Sequence, residues 1–193
     1  MNYAINVPKE AGLPDDLKTL LTPEQIQKRV REIARQINSD YQGKSLYVLC
    51  VLENAFMFTA DLVRAIDLPV ICEFIKPMFS ETAFGTGTKL EIFFQPEKDV
   101  TGHHVLLVEG ILQAGITSEF LTRTLLGRGA ASVKVATFLD RQAARRVAVR
   151  PDYFGFLVAE NYVVGYGLGG PHLGRNLEYV AATTIKAPEE AAV

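Results

Sequence analysis

The run Val105-Leu-Leu-Val108-Glu109-Gly110-Ile-Leu-Gln113-Ala114-Gly115-Ile116-Thr117-Ser118 constrains this chain more than any other. Apolar β-formers without alternation mark a strand covered on both faces, the usual situation in a parallel sheet. A short loop with one glycine then opens into Glu119-Phe-Leu-Thr-Arg-Thr-Leu-Leu126, which reads as a helix. The first turn of such a helix carries unpaired backbone N–H groups and the positive end of the helix dipole. Thr117 and Ser118 add hydroxyls there, so the turn 114–118 is a candidate phosphate site that needs no basic side chain. A plain strand-to-helix connection in an α/β domain would carry the same pattern.

The rest of the chain repeats this alternation. Thr22-Pro23-Glu24-Gln25 is a helix start, with Thr22 as cap, Pro23 at the first helical position and Gln25 completing a capping box. Ile26, Val30, Ile33, Ala34 and Ile37 follow at helical spacing. Strands are expected at Ser45–Leu52, Val70–Ile75, Lys89–Phe94, Ser132–Leu139, Tyr153–Val158 and Tyr162–Val164, and a further helix at Ala55–Ile66. Lys76 to Thr88, with Gly85 and Gly87, reads as a loop. Strands alternating with helices imply a mostly parallel, twisted sheet flanked by helices. One domain spanning residues 22–187 is expected, with an N-terminal arm at 1–21 and a frayed tail at 188–193.

Composition narrows the class. The chain has 193 residues, 48% of them apolar, and a net charge of −2, so a sizeable core is within reach and no nucleic-acid footprint is visible. No apolar run is long enough to span a bilayer, and the start lacks the basic flank and apolar stretch of a secretory signal. Cys50 and Cys72 each sit inside an apolar strand-like run, which suits free thiols in a cytoplasmic protein. Gly165-x-Gly167-x-x-Gly170 satisfies a dinucleotide fingerprint, but Pro171 and Gly174 forbid the helix that should follow. Arg141, Arg145 and Arg146 suit a solvated basic patch.

The central run resembles the phosphoribosyl-pyrophosphate motif of type I phosphoribosyltransferases, specifically the hypoxanthine(-guanine) family: an apolar strand, then Glu-Asp-x-x-Asp-Thr/Ser-Gly-x-Thr. This chain keeps Glu109, Gly115 and Thr117, and has Gly110, Gln113 and Ala114 where the family has its second acid, its third acid and Thr or Ser. The resemblance extends from about Thr22 to Val180 and implies the type I phosphoribosyltransferase fold, with a small hood region from the chain ends. It implies that Ala114, Gly115, Ile116, Thr117 and Ser118 cradle a 5′-phosphate, and that Glu109 and Gln113 stand at the ribose and base-proton positions. Gln113 cannot accept a proton as the family acid does, because an amide has no accessible protonation equilibrium. Glu53-Asn54 occupy the pyrophosphate loop, where the family has a basic residue and Gly, and Arg175 keeps an Arg that touches pyrophosphate. Phe79-Ser80 replace the Ser-Tyr pair of the family's mobile loop. Arg141, Tyr162 and Val163 match the purine pocket: a cationic donor, a stacking ring and backbone contacts to the base edge. Gly169 stands where the family has an Asp for a second metal, so neither Gly110 nor Gly169 supplies a metal ligand and Glu109 alone is left.

Two functions follow from the resemblance. One is a weak or inactive purine-salvage homologue that holds a purine nucleotide without turning it over. The other is an active hypoxanthine phosphoribosyltransferase that joins purine base to phosphoribosyl pyrophosphate with Mg²⁺. Either would be a cytoplasmic homodimer or homotetramer, without nucleic-acid or membrane partners.

Overall fold

The apolar strands separate two cores by side-chain alternation. Leu46 and Val48 point to one face of the sheet and Tyr47 and Leu49 to the other, and all four are buried. This explains why the sequence shows continuous hydrophobic runs there. The computed structural model of the protein describes residues 16–81, 88–92, 99–169 and 174–183. In chain order these form β1 (Lys18–Leu21), α1 (Pro23–Asp40), β2 (Leu46–Val51), α2 (Phe56–Ala65), β3 (Val70–Ile75), β4 (Pro77–Glu81), β5 (Thr88–Ile92), β6 (His104–Leu112), α3 (Ile116–Gly127), β7 (Ser132–Asp140), a 3₁₀ turn (Gln142–Ala144), β8 (Tyr153–Leu157), β9 (Val163–Val164) and β10 (Val180–Ala182).

The central sheet is parallel throughout, in the order β3-β2-β6-β7-β8. Helices α1 and α2 cover one face, where Ile26, Ile33, Ile37, Phe58 and Leu62 pack on Leu106, Val108 and Phe138. Helix α3 covers the other, where Leu121 and Leu125 meet Tyr47, Leu107 and Val135. The start of α1 is the capping box expected from its sequence: Gln25 N donates to Thr22 Oγ1 at 3.3 Å, and Thr22 N donates to Gln25 Oε1 at 2.8 Å.

A second sheet, antiparallel and ordered β1-β10-β9, forms a hood over the C-terminal edge of the strands. It takes in the last four residues of the stretch read as an arm; residues 1–15 and the expected tail at 188–193 lie outside the described residues. Tyr166 Oη donates to Asp61 Oδ2 at 2.7 Å, and Gln27 Nε2 donates to the same oxygen at 2.5 Å, which ties the hood to α1 and α2.

The stretch 76–88 differs from its reading as a loop. Its first part is β4, paired antiparallel with β5 in register from Pro77 with Ile92 to Glu81 with Thr88. Phe79 and Ser80 therefore sit within a hairpin strand, opposite Leu90 and Lys89, and residues 82–87 are outside the described residues. Residues 89–92 of the expected strand at 89–94 fall in β5, which pairs with β4 among the described residues; 93 and 94 lie outside them.

Candidate functional site

The C-terminal ends of parallel strands are where α/β sheets bind ligands, because strand ends and helix starts converge there. A cleft of about 180 Å³ opens at that edge, lined by Val51, Leu52, Asn54, Pro77, Glu109, Gly110, Ile111 and Thr117. Complete small-molecule sites run to roughly 300–1,000 Å³, so this volume corresponds to one end of a ligand. A wider groove of about 600 Å³ runs along α1, lined by Arg29, Glu32, Arg35, Gln36, Ser39 and Asp40. It is open to solvent and lies away from the strand ends, and it brings together none of the expected site residues.

The β6–α3 turn builds the floor. Gly115 is the N-cap of α3 at φ +84°, a left-handed conformation that favours glycine, and no side chain caps the helix. Its backbone packs against Arg145 and Val147, whose side-chain atoms would lie 3.2 and 3.1 Å from a Cβ at this position. Ile116 is exposed, Thr117 faces the cleft and Ser118 is fully buried. Ala114 contributes its carbonyl, which accepts from Arg146 N at 3.0 Å and Val147 N at 3.3 Å. The uncapped first turn thus presents its N–H groups toward the cleft end, the arrangement that suits a phosphate.

Glu109 closes the inner wall. It is 7% exposed, and Ser118 Oγ donates to its Oε1 at 2.6 Å. Burial pushes its carboxyl up to about 7, against the smaller opposing pull of the Ser118 hydrogen bond and the Arg145 charge. Gly110 beside it could carry no side chain, since a Cβ there would lie 2.3 Å from the backbone oxygen of Asn54. The same carbonyl would lie 3.2 Å from a Cβ on Gly167, so Asn54 is wedged between β6 and the turn after β9. The Asn54 Oδ1 atom is buried without a hydrogen-bond partner.

Gln113 is exposed, and its backbone carbonyl accepts from Arg145 Nη1 at 2.7 Å. Arg145 also pairs through Nη2 with Asp140, which is 2% exposed. Arg145 therefore is no part of a solvated patch: it braces the β6–α3 turn from below. Arg141 hydrogen-bonds Asn161 Oδ1, which brings it beside Tyr162 and Val163, while its buried Nε has no partner. Tyr162 is half-buried, its carbonyl accepts from Thr183 N at 3.2 Å, and Val163 pairs with Ala182 in the hood.

Glu53 and Arg175 meet as well. Glu53 Oε2 lies 3.1 Å from Arg175 Nη2, and Oε1 lies 2.5 Å from Lys76 Nζ. Hydrogen bonding to Lys76, then the Arg175 charge, holds the Glu53 carboxyl below its ordinary range. Sequence reasoning gives Lys76 no role at the site, and it takes Arg145 for a surface charge and Gly167 for part of a chance fingerprint. Lys76 meets Glu53 across 23 residues, so no local period marks the contact. Gly169, at φ +145°, is among the described residues and the fingerprint Gly165-x-Gly167 belongs to a tight turn in which Gly165 N and Leu168 N each donate to the other's carbonyl at 3.0 Å.

The described residues offer a divalent ion few side-chain ligands. Gly110 and Gly169 carry no side-chain donors, the Asn54 carbonyl fills the space beside Gly110, and Glu109 is enclosed with Ser118. Among the described residues no three His, Cys, Asp or Glu side chains converge.

A parallel α/β sheet, a crossing hood and a helix start capped by glycine at the strand ends define the class, and comparison with known proteins gives it a name. A phosphoribosyl transferase domain model matches residues 16–169. A hypoxanthine-guanine phosphoribosyltransferase of Aquifex aeolicus is 38% identical over 169 residues, covering 85% of this chain and 93% of that protein. The crystal structure of a hypoxanthine-guanine phosphoribosyltransferase from Bacillus anthracis superposes with a TM-score of 0.78 at 33% identity, over 86% of this chain and 95% of that one. The bifunctional protein TilS/HprT of Listeria innocua is 33% identical over 185 residues, and this chain spans only 28% of its length. The chain belongs to the hypoxanthine-guanine phosphoribosyltransferase family. Among the described residues no helix is long and apolar enough to cross a membrane.

Proposed function

We propose that this chain holds a purine nucleoside monophosphate in the cleft and transfers phosphoribosyl groups weakly or not at all. The observation that carries the reading is the Asn54 carbonyl packed where a side chain at residue 110 would project. The cleft has closed over the position of an acid, while the anion turn at 114–118 stays open. In this reading the 5′-phosphate lies on the N–H groups of Gly115 to Ser118, with the Thr117 hydroxyl donating to it. Glu109 faces the ribose, Tyr162 stacks on the base, Val163 offers backbone contacts to its edge, and Arg141 donates to its exocyclic oxygen. Gln113 can hydrogen-bond the base but cannot take its proton, which costs a factor of about 10²–10⁴ in rate. We place the protein in the cytoplasm as a homodimer or homotetramer.

Thermal denaturation with inosine or guanosine monophosphate tests the binding. A ligand at 100 times its dissociation constant adds about 2.7 kcal/mol of stability, and the gain should shrink in Tyr162→Ala. Absence of stabilisation by either nucleotide overturns the reading. The identity to the Aquifex enzyme favours a second reading, an active transferase. Incubation with hypoxanthine or guanine, phosphoribosyl pyrophosphate and Mg²⁺ separates the two, and turnover within tenfold of that relative would establish the second.

A further inference from the structure

At the outer rim of the cleft an anion is already in place, and it belongs to the protein. Three loops bring their side chains to one point: Glu53 from the β2–α2 turn, Lys76 from between β3 and β4, and Arg175 from the segment before β10. Each carboxylate oxygen of Glu53 meets its own cation, Oε1 at 2.5 Å from Lys76 Nζ and Oε2 at 3.1 Å from Arg175 Nη2. The rim is continuous with the cleft. Leu52 and Asn54 on either side of Glu53 line it, as does Pro77 next to Lys76. Arg175 Nη1 lies 3.5 Å from the carbonyl of Gly167, the residue packed on Asn54.

We propose that Glu53 is a tethered competitor at this rim, a specificity residue that admits a phosphate monoester to the cleft and disfavours ligands bearing a second, diphosphate-class anion. The idea rests on the proposed nucleotide site and names the ligand class that site selects. A monoester needs one anion position, which the uncapped turn at Gly115 supplies at the inner end. A ligand with a second anionic group needs the cations at the rim, and there it meets a carboxylate that repels it and holds both cations. Glu53 keeps its charge across the physiological range, since Lys76 and Arg175 hold its carboxyl low. Its side chain is 50% exposed, as an exposed pair of this kind is weak and a competing anion can displace it at a cost. Discrimination is therefore graded rather than absolute.

The test is calorimetric titration of the full chain with inorganic pyrophosphate and, separately, with guanosine monophosphate. Glu53→Gln keeps the size and removes the charge, and it should tighten pyrophosphate binding at least fivefold while leaving guanosine monophosphate within twofold. Adding Lys76→Ala or Arg175→Ala to Glu53→Gln should erase the gain, which a merely structural role for Glu53 would not do. Glu53→Ala carries the same expectation if Glu53→Gln folds poorly. Pyrophosphate binding that is unchanged or weakened in both Glu53 variants overturns the proposal. Failure of the wild type to bind guanosine monophosphate would instead strike the nucleotide reading, and the pyrophosphate comparison would still be read by itself.

Discussion

An acid placed at residue 110, where the family motif carries one, meets a geometry that leaves it no room. A Cβ on Gly110 would lie 2.3 Å from the Asn54 carbonyl oxygen and 2.6 Å from its carbon, whereas real Cβ contacts essentially never fall under 3.0 Å. The clashing atoms are backbone, so β6 and the β2–α2 turn must part by at least about 0.7 Å. Overpacking of this kind costs about 1–3 kcal/mol. In a domain of this size each kcal/mol lowers the melting temperature by about 2–4 °C. Gly110→Ala should therefore melt about 2–12 °C below the wild type. Gly110→Asp should fall further, because it adds a second carboxyl beside the buried Glu109. Gly127→Ala is the control: nothing lies within 4 Å of a Cβ there, and alanine favours the helix. Thermal denaturation followed by circular dichroism at neutral pH gives all three values. A Gly110→Ala protein melting within 1 °C of wild type, or a Gly110→Asp protein gaining transferase activity, would refute the reasoning.

Two further outcomes follow from the same neighbourhood. Arg145→Met leaves the buried Asp140 carboxylate without its cation and with only the Gln142 hydrogen bond, which should cost about 3–5 kcal/mol in urea denaturation, while Arg145→Met with Asp140→Leu recovers most of it. Glu109 has a folded-state carboxyl raised to about 7 by burial. The native state therefore binds a proton that the unfolded chain releases near pH 4.5, so the contribution of Glu109 to stability falls as pH rises from about 4.5 to about 7 and then levels off. Glu109→Gln should remove that fall, and a wild-type-minus-variant stability difference that is flat across this window would refute the assignment.

The parts of the fold that pattern can encode were readable. The run 105–112 is a buried strand because its side chains serve two cores at once, and Gly115 marks the turn because its backbone sits at φ +84°. The capping box of α1 is local chemistry, complete within four residues. Strand β4 was not readable, because it pairs with one neighbour outside the central sheet and its stretch is dominated by the glycines that follow. At the site, the motif frame was legible and its internal contacts were not. Arg145 reaches Asp140 around a 3₁₀ turn, a spacing that belongs to neither regular period. The Glu53, Lys76 and Arg175 contact joins three loops, and only the fold brings them together.

The hood has a consequence for how a ligand comes and goes. Its strands hold four, two and three residues, and among the described residues β1 pairs with β10 alone, so the two ends of the described chain fasten each other. The β6–α3 turn stands instead on the five-stranded sheet with α3 behind it. Amide protection should thus be graded across the cleft, deep beneath that turn and shallow under the hood. A nucleotide would arrive phosphate first at a standing half-site. It would leave when the fastened ends briefly come apart.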